Sequence, residues 1–202
     1  MVKRLLCHER WYVRSLTLVG LSIALFVLTW TLSYYLLPEG ILRGRSGAAV
    51  LAGEEAAASF ALEFLRIVAI NLAMTGMVIF ANRLLRVHGY PLGYLLPLIW
   101  SMSYAVTLGT NSFSIPLPES MPPSFRVLGR SGPYEIAAYC LAATATYRLS
   151  ANRFRRLIPP GSEPIEPAPK LAENVDWLGL GLGAALLVAS NAYEAYMIVS
   201  LA

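Results

Sequence analysis

Between Leu16 and Leu37 the chain carries no charged residue. As a helix rising 1.5 Å per residue, that stretch is about 30 Å long, the thickness of a bilayer's hydrocarbon core. Similar apolar stretches recur near residues 60–82, 90–110, 133–149 and 177–201. A chain of 202 residues cannot bury five such helices from water on all sides. Only 14% of its residues are charged, against about 25% in an ordinary soluble domain. Its mean hydropathy is +0.56. The sequence therefore predicts an all-α polytopic integral membrane protein with five transmembrane helices and the lipid bilayer as its first partner. That excludes a cytosolic enzyme, a secreted disulfide scaffold and a nucleic-acid-binding domain.

Four spans, at about 16–37, 60–82, 90–110 and 133–149, make up a first unit over residues 1–157. Residues 158–176 are rich in Pro and read as a stiff cytoplasmic tether with extended character. Residues 177–202 carry the fifth helix. Lys and Arg set the orientation. With the N-terminus cytoplasmic, 11 of the 16 lie inside, while Arg43, Arg45, Arg126 and Arg130 lie outside and Arg66 within a span. This places the N-terminus in the cytoplasm, the C-terminus outside and the chain in the cell membrane as a multi-pass protein. It also accounts for the isoelectric point near 9.2, since these cations face anionic headgroups. The first apolar run is too long for a cleaved signal peptide and is expected to stay as an anchor.

The connections differ. Residues 38–58 are expected to form a short outer surface helix. Residues 113–132, with Pro116, Pro118, Pro122 and Pro123, are expected to be irregular or extended. His88-Gly89-Tyr90-Pro91 marks a tight cytoplasmic turn. Pro91 and Pro97 are expected to break the third span. Cys7 and Cys140 belong to different compartments, so no disulfide is expected.

Catalytic patterns are missing. Asp176 is the lone aspartate, which removes an aspartyl dyad. His8 and His88 show no metal spacing, and Ser46 and Ser131 lie on the face opposite to both. Glu54-Glu55 lacks the Arg and His residues that would make it a protease motif. The reading is no enzyme, no metal and no cofactor. The informative residues are polar ones inside spans, where a charge normally meets a partner or a cavity. Glu63 and Arg66 are placed to pair one turn apart near the outer end of their helix. Glu135 follows Gly132-Pro133 at a helix start, where a carboxylate suits the unsatisfied N–H groups, or else it meets Asn71, Asn111 or Asn191. Asn71 is a mid-span amide that needs a helix partner. Asn191 and Glu194, three residues apart, are packing contacts or interfacial groups. Gly179 and Gly183 form a Gly-x-x-x-Gly pair, suited to packing within the chain or to oligomerisation.

Phe64 through Asn71-Leu72-Ala73, then His88-Gly89-Tyr90-Pro91-Leu92-Gly93, then Gly132-Pro133-Tyr134-Glu135-Ile136-Ala137-Ala138 follow one another in the middle of the chain. Over residues 64–152 the chain resembles the stage II sporulation protein M family of prokaryotic membrane proteins. Residue by residue the resemblance carries over Asn71, Gly89, Gly93, Pro133 and Glu135. The family's Pro-His-Gly-x-x-Glu is shortened here to Pro133-Tyr134-Glu135. The resemblance implies a five-helix membrane protein without established catalysis, of a kind that anchors cell-wall hydrolases in spore formers and has relatives in other bacteria and archaea. The expectation is a non-catalytic anchor or scaffold subunit of a cell-envelope assembly, with a protein partner or a second copy docked on its outer loops. The competing expectation is a small transporter or channel subunit whose polar path runs through Glu63, Asn71 and Glu135.

Overall fold

The computed structural model describes residues 1–44, 59–113, 119–125, 127–128, 131–156 and 161–201. In chain order they form α1 (Val2–Leu6), α2 (Trp11–Leu36), α3 (Phe60–Leu84), β1 (Arg86–Val87), β2 (Tyr90–Pro91), α4 (Leu95–Gly109), α5 (Gly132–Ala145), β3 (Asn152–Arg156), β4 (Gly161–Pro164), α6 (Leu171–Asn174) and α7 (Trp177–Leu201). A 3-10 turn, Leu92–Tyr94, leads into α4, and another, Tyr147–Leu149, follows α5. Among the described residues, four helices are long and apolar enough to cross a membrane: α2, α3, α7, and α4 taken with its leading turn. The protein itself covers little of them. On α3, Leu62, Leu65, Leu72, Met77 and Phe80 are all exposed. Water would not tolerate such a surface, and lipid would solvate it.

Helix ends follow local chemistry. Ser59 caps α3, its hydroxyl oxygen accepting from the Leu62 N–H at 3.4 Å. Pro97 does not break the third span. It sits in the first turn of α4, where its fixed φ is preset for a helix, so the helix runs from Leu95 to Gly109. The fourth expected span is shorter than its apolar run. α5 has 14 residues, about 20 Å of helix. At its end the hydroxyls of Thr144 and Thr146 bond back to the carbonyls of Cys140 and Ala142 (2.9 and 2.7 Å), competing with the ladder.

At its start, the preceding segment folds inward. Val127 is buried against Phe26, Trp30, Ala105 and Leu108, and the Tyr104 hydroxyl donates to the Leu128 carbonyl. Gly132 passes so close to the Tyr104 ring that a Cβ there would lie 2.8 Å from it. α5 thus begins beside Tyr104, more than one turn short of the end of α4. Irregular backbone at that depth is tolerated because protein surrounds it.

The described residues are mostly helical, as an all-α membrane protein should be, with one small sheet besides. A four-stranded sheet of order β2-β1-β3-β4 closes the end of the molecule opposite to the start of α5. Its first hairpin turns at His88 (φ +50°) and Gly89 (φ +95°), the two left-handed positions of a two-residue hairpin loop. β3 then pairs in parallel with β1 and antiparallel with β4. The stretch expected as a tether is therefore folded where it is described. Gly161–Pro164 is β4, the Ile165 N–H donates to Ala151, and an Arg83 N–H donates to the Pro169 carbonyl. α7 is correspondingly no detached helix, because it packs on α5 and α3.

The two densest helix contacts use small residues. Along α2 and α4, the Ser101 hydroxyl donates to the Ser22 carbonyl, and a Cβ at Gly109 would lie 2.7 Å from the Trp30 carbonyl oxygen. Along α7 and α5, Gly179 faces Trp11 and Ala145, and Gly183 faces Leu141 and the Ala138 carbonyl. The Gly-x-x-x-Gly pair is spent on packing within the chain, the close backbone approach that such spacing allows.

Candidate functional site

Three helices bring polar side chains together inside the apolar bundle: α3 supplies Asn71, α5 supplies Glu135 and Tyr139, and α7 supplies Asn191 and Glu194. Asn71 is the hub. Its amide N–H groups donate to Glu135 Oε1 (3.1 Å) and to Asn191 Oδ1 (2.8 Å), and its own Oδ1 accepts from the Tyr139 hydroxyl. With the Asn191 amide turned over, its nitrogen instead donates to Glu135 Oε1 at 3.0 Å and to the Leu187 carbonyl at 3.3 Å, in place of the bond from Asn71. The Glu135 carboxyl on α5 faces the Glu194 carboxyl on α7. Asn71, Tyr139 and Asn191 are buried, while the two glutamates are half-buried. Tyr139 is held from the other side by Trp100, edge to face at 5.2 Å.

The local fold explains why these residues meet. Pro133 opens α5, and Glu135 sits in its first turn. No side chain caps that turn, and Glu135 reaches across to Asn71 instead. Because α5 starts inside the bundle, its first turn lies level with the middle of α3 rather than with its end. Asn191 and Glu194, one turn apart on α7, present the same face to it.

The other sequence candidates are distributed elsewhere. Glu63 and Arg66 pair with each other at 2.6 Å in the first turns of α3, with Glu63 fully buried. Asn71 lies two turns further on, about 12 Å along the axis, so this pair is a separate feature. Asn111, offered as a partner for Glu135, instead binds an outer segment: its amide donates to the Met121 carbonyl and accepts from the Met121 N–H (3.3 and 3.0 Å). Gly93 is where α4's leading turn meets α3; a Cβ there would lie 2.3 Å from both Asn82 Oδ1 and the Val78 carbonyl oxygen. Gly89 supplies the hairpin turn, and its carbonyl accepts from the Cys7 thiol. Cys7 and Cys140 are both free. Ser46, Glu54 and Glu55 lie outside the described residues, as does the surface helix expected within 38–58 beyond residue 44.

Two features escaped the sequence reading. The first is Arg14, which is 0% exposed. Its guanidinium donates to Asp176 Oδ2 (2.5 Å), to the carbonyls of His8 and Glu9 (2.6 and 2.8 Å) and to Thr144 (3.0 Å), and it stacks over Tyr147 at 4.8 Å. The available signal was the lone aspartate of the chain lying just before an apolar helix. The second is the outer edge. The Gly40 N–H donates to Thr110, Leu42 N–H to the Ser112 hydroxyl, and Arg43 to the carbonyls of Asn111 and Phe113, all between 2.7 and 3.3 Å. The Ser120 hydroxyl donates to the Glu39 carboxylate.

Among the described residues no group of three or more His, Cys, Asp or Glu is placed to hold a metal ion. Comparison with protein-family models, with curated proteins and with solved structures gives no match.

Proposed function

We propose that the protein is a non-catalytic anchor or scaffold subunit of a cell-envelope assembly, embedded in the cell membrane by five segments with its N-terminus in the cytoplasm. The observation that carries this reading is the locked outer edge. Residues 39–44, 110–113 and 119–121 come from different connections, yet Arg43, Asn111, Ser112 and Glu39 tie them into one surface. A fixed surface of this kind loses little conformational entropy when it docks a partner. The resemblance to the stage II sporulation protein M family points the same way. The orientation rests on charge: nine of the 14 arginines lie at the sheet end, in α1, around the start of α2, at the end of α3, in β1 and β3 and in the turn after α5, as a cytoplasmic face should.

Affinity purification from native membranes tests the reading. The wild-type chain should bring down a stoichiometric companion, and Arg43→Ala combined with Asn111→Ala should release it. Undiminished co-purification by the double variant overturns the outer-edge version.

The Glu135–Glu194 pair favours a second reading, a small ion-linked transporter subunit. A half-buried carboxyl at the start of an inset helix, bonded to an amide and facing a second carboxyl on a neighbouring helix, is a place where a cation or proton is bound in other settings. Its path would use Asn71, Glu135, Asn191 and Glu194, with Glu63 set apart. Proteoliposomes of the wild type should then conduct or exchange an ion, and Glu135→Gln should abolish the flux. Wild-type liposomes no different from empty ones across a panel of cations would end it.

A further inference from the structure

Along the sheet end of α3 runs a shallow cleft of about 380 Å³. Gly76, Phe80 and Arg83 form one wall, and Leu149, Pro169 and Leu171 form the other. Gly76 stands nearly two turns from Arg83, so the cleft runs about 10 Å along the helix. A Cβ at Gly76 would meet nothing within 4 Å, which leaves the far end of the cleft open. Phe80 is 62% exposed and Leu171 61%, so the rim is apolar and faces outward.

Arg83 sits at the opposite end. Its Nη1 donates to the Leu149 and Pro169 carbonyls, 3.2 Å each, which fixes the guanidinium at the mouth. Arg14, Arg66 and Arg155 each hold a carboxylate; among the described residues Arg83 holds none. The exposed Arg148 adds a second cation next to Leu149 in the chain. The cleft is thus apolar for about 10 Å and cationic at one end, on a surface that only lipid would cover.

We propose that this cleft is a binding site for one anionic phospholipid, with an acyl chain along Gly76 and Phe80 and the phosphate on Arg83. The charge pattern is that of the lipid read in reverse. A guanidinium suits a phosphate better than an ammonium does, because its planar fork meets two oxygens. Basic pockets where membrane helices end bind acidic headgroups by the same physics. The site depends on neither functional reading above.

Native mass spectrometry of the detergent-purified full chain decides it. The chain is offered phosphatidylglycerol and phosphatidylcholine with identical acyl chains. The wild type should retain one phosphatidylglycerol with about a tenfold preference. Arg83→Gln should lose the preference, Arg83→Lys should keep part of it, and Gly76→Leu should lose retained lipid of both kinds by filling the open end. Arg155→Gln, which removes an exposed ion pair elsewhere, should leave retention unchanged. Equal retention of both lipids by the wild type, or a preference that survives Arg83→Gln, overturns the site. Should Arg83→Gln not stay monodisperse, Gly76→Leu decides alone, since lipid retained by that variant at the wild-type level overturns it too.

Discussion

Arg14 and Glu135 are both ionisable groups set among apolar helices, and the bundle treats them in opposite ways. Arg14 is enclosed completely and meets an opposite charge, Asp176, together with three backbone carbonyls and an aromatic face. Glu135 is half-buried and meets a like group, Glu194, together with two amides. None of the ion pairs among the described residues involves either glutamate. The arginine clamp joins α2, the end of α5 and the start of α7, and any change in its charge would strand several acceptors. The carboxyl cluster offers its carboxyls amide donors, and among the described residues no cation pairs with either. The first region answers its charge with an opposite charge, and the second sets two like carboxyls among amides.

The comparison breaks first at Arg14. Arg14→Leu leaves the Asp176 carboxylate and the carbonyls of His8, Glu9 and Thr144 without their donor, at a cost of about 3–5 kcal/mol. Thermal unfolding in detergent should show the largest loss of any variant here, and a wild-type melting temperature would refute the clamp. Arg14→Lys keeps the charge but not the fork and should fall between the two.

Gly183 lies on α7 between the two regions, and its substitution sharpens the contrast. A Cβ there would stand 3.1 Å from Leu141 Cβ and 3.2 Å from the Ala138 carbonyl oxygen. Gly183→Val should push α5 away from α7 and cost about 1–3 kcal/mol. Gly181→Ala, with open space around it, should be neutral or slightly stabilising. Equal losses for the two would mean that α7 is held by something other than this close approach.

The smallest effects belong to the polar cluster. Asn71→Leu removes donors to Glu135 and Asn191 and the acceptor of Tyr139, yet such contacts in a membrane are worth only about 1 kcal/mol each. Glu135→Gln keeps the shape and the hydrogen-bonding reach, and its melting temperature should match the wild type. A loss as large as that of Arg14→Leu would make the cluster structural and erase the distinction drawn here.

Much of this architecture was written locally. The charge-free run of Leu16–Leu37 fixed the solvent of the protein as lipid, because no packing within 202 residues hides so many apolar helices. Gly132-Pro133 announced a helix start, and His88-Gly89 a tight turn, since each depends on the φ angles of adjacent residues alone. The candidate amides were legible too: a mid-span Asn needs a partner, and Asn71 has three.

What the sequence left open was decided by contacts between distant positions. Glu135 had three possible asparagines, and the bundle selected Asn71 and Asn191 while sending Asn111 to the outer edge. That choice follows from the inward packing of Val127 and Leu128, which sets the first turn of α5 more than one turn lower, beside Tyr104. Arg14 and Asp176 are 162 positions apart, and no periodicity relates them. Hydrophobic pattern and turn chemistry act over a few residues, so they fix which segments are helices and where those helices end. Depth, rotation and pairing arise only when helices pack, because the side chain that satisfies a buried charge comes from another part of the chain.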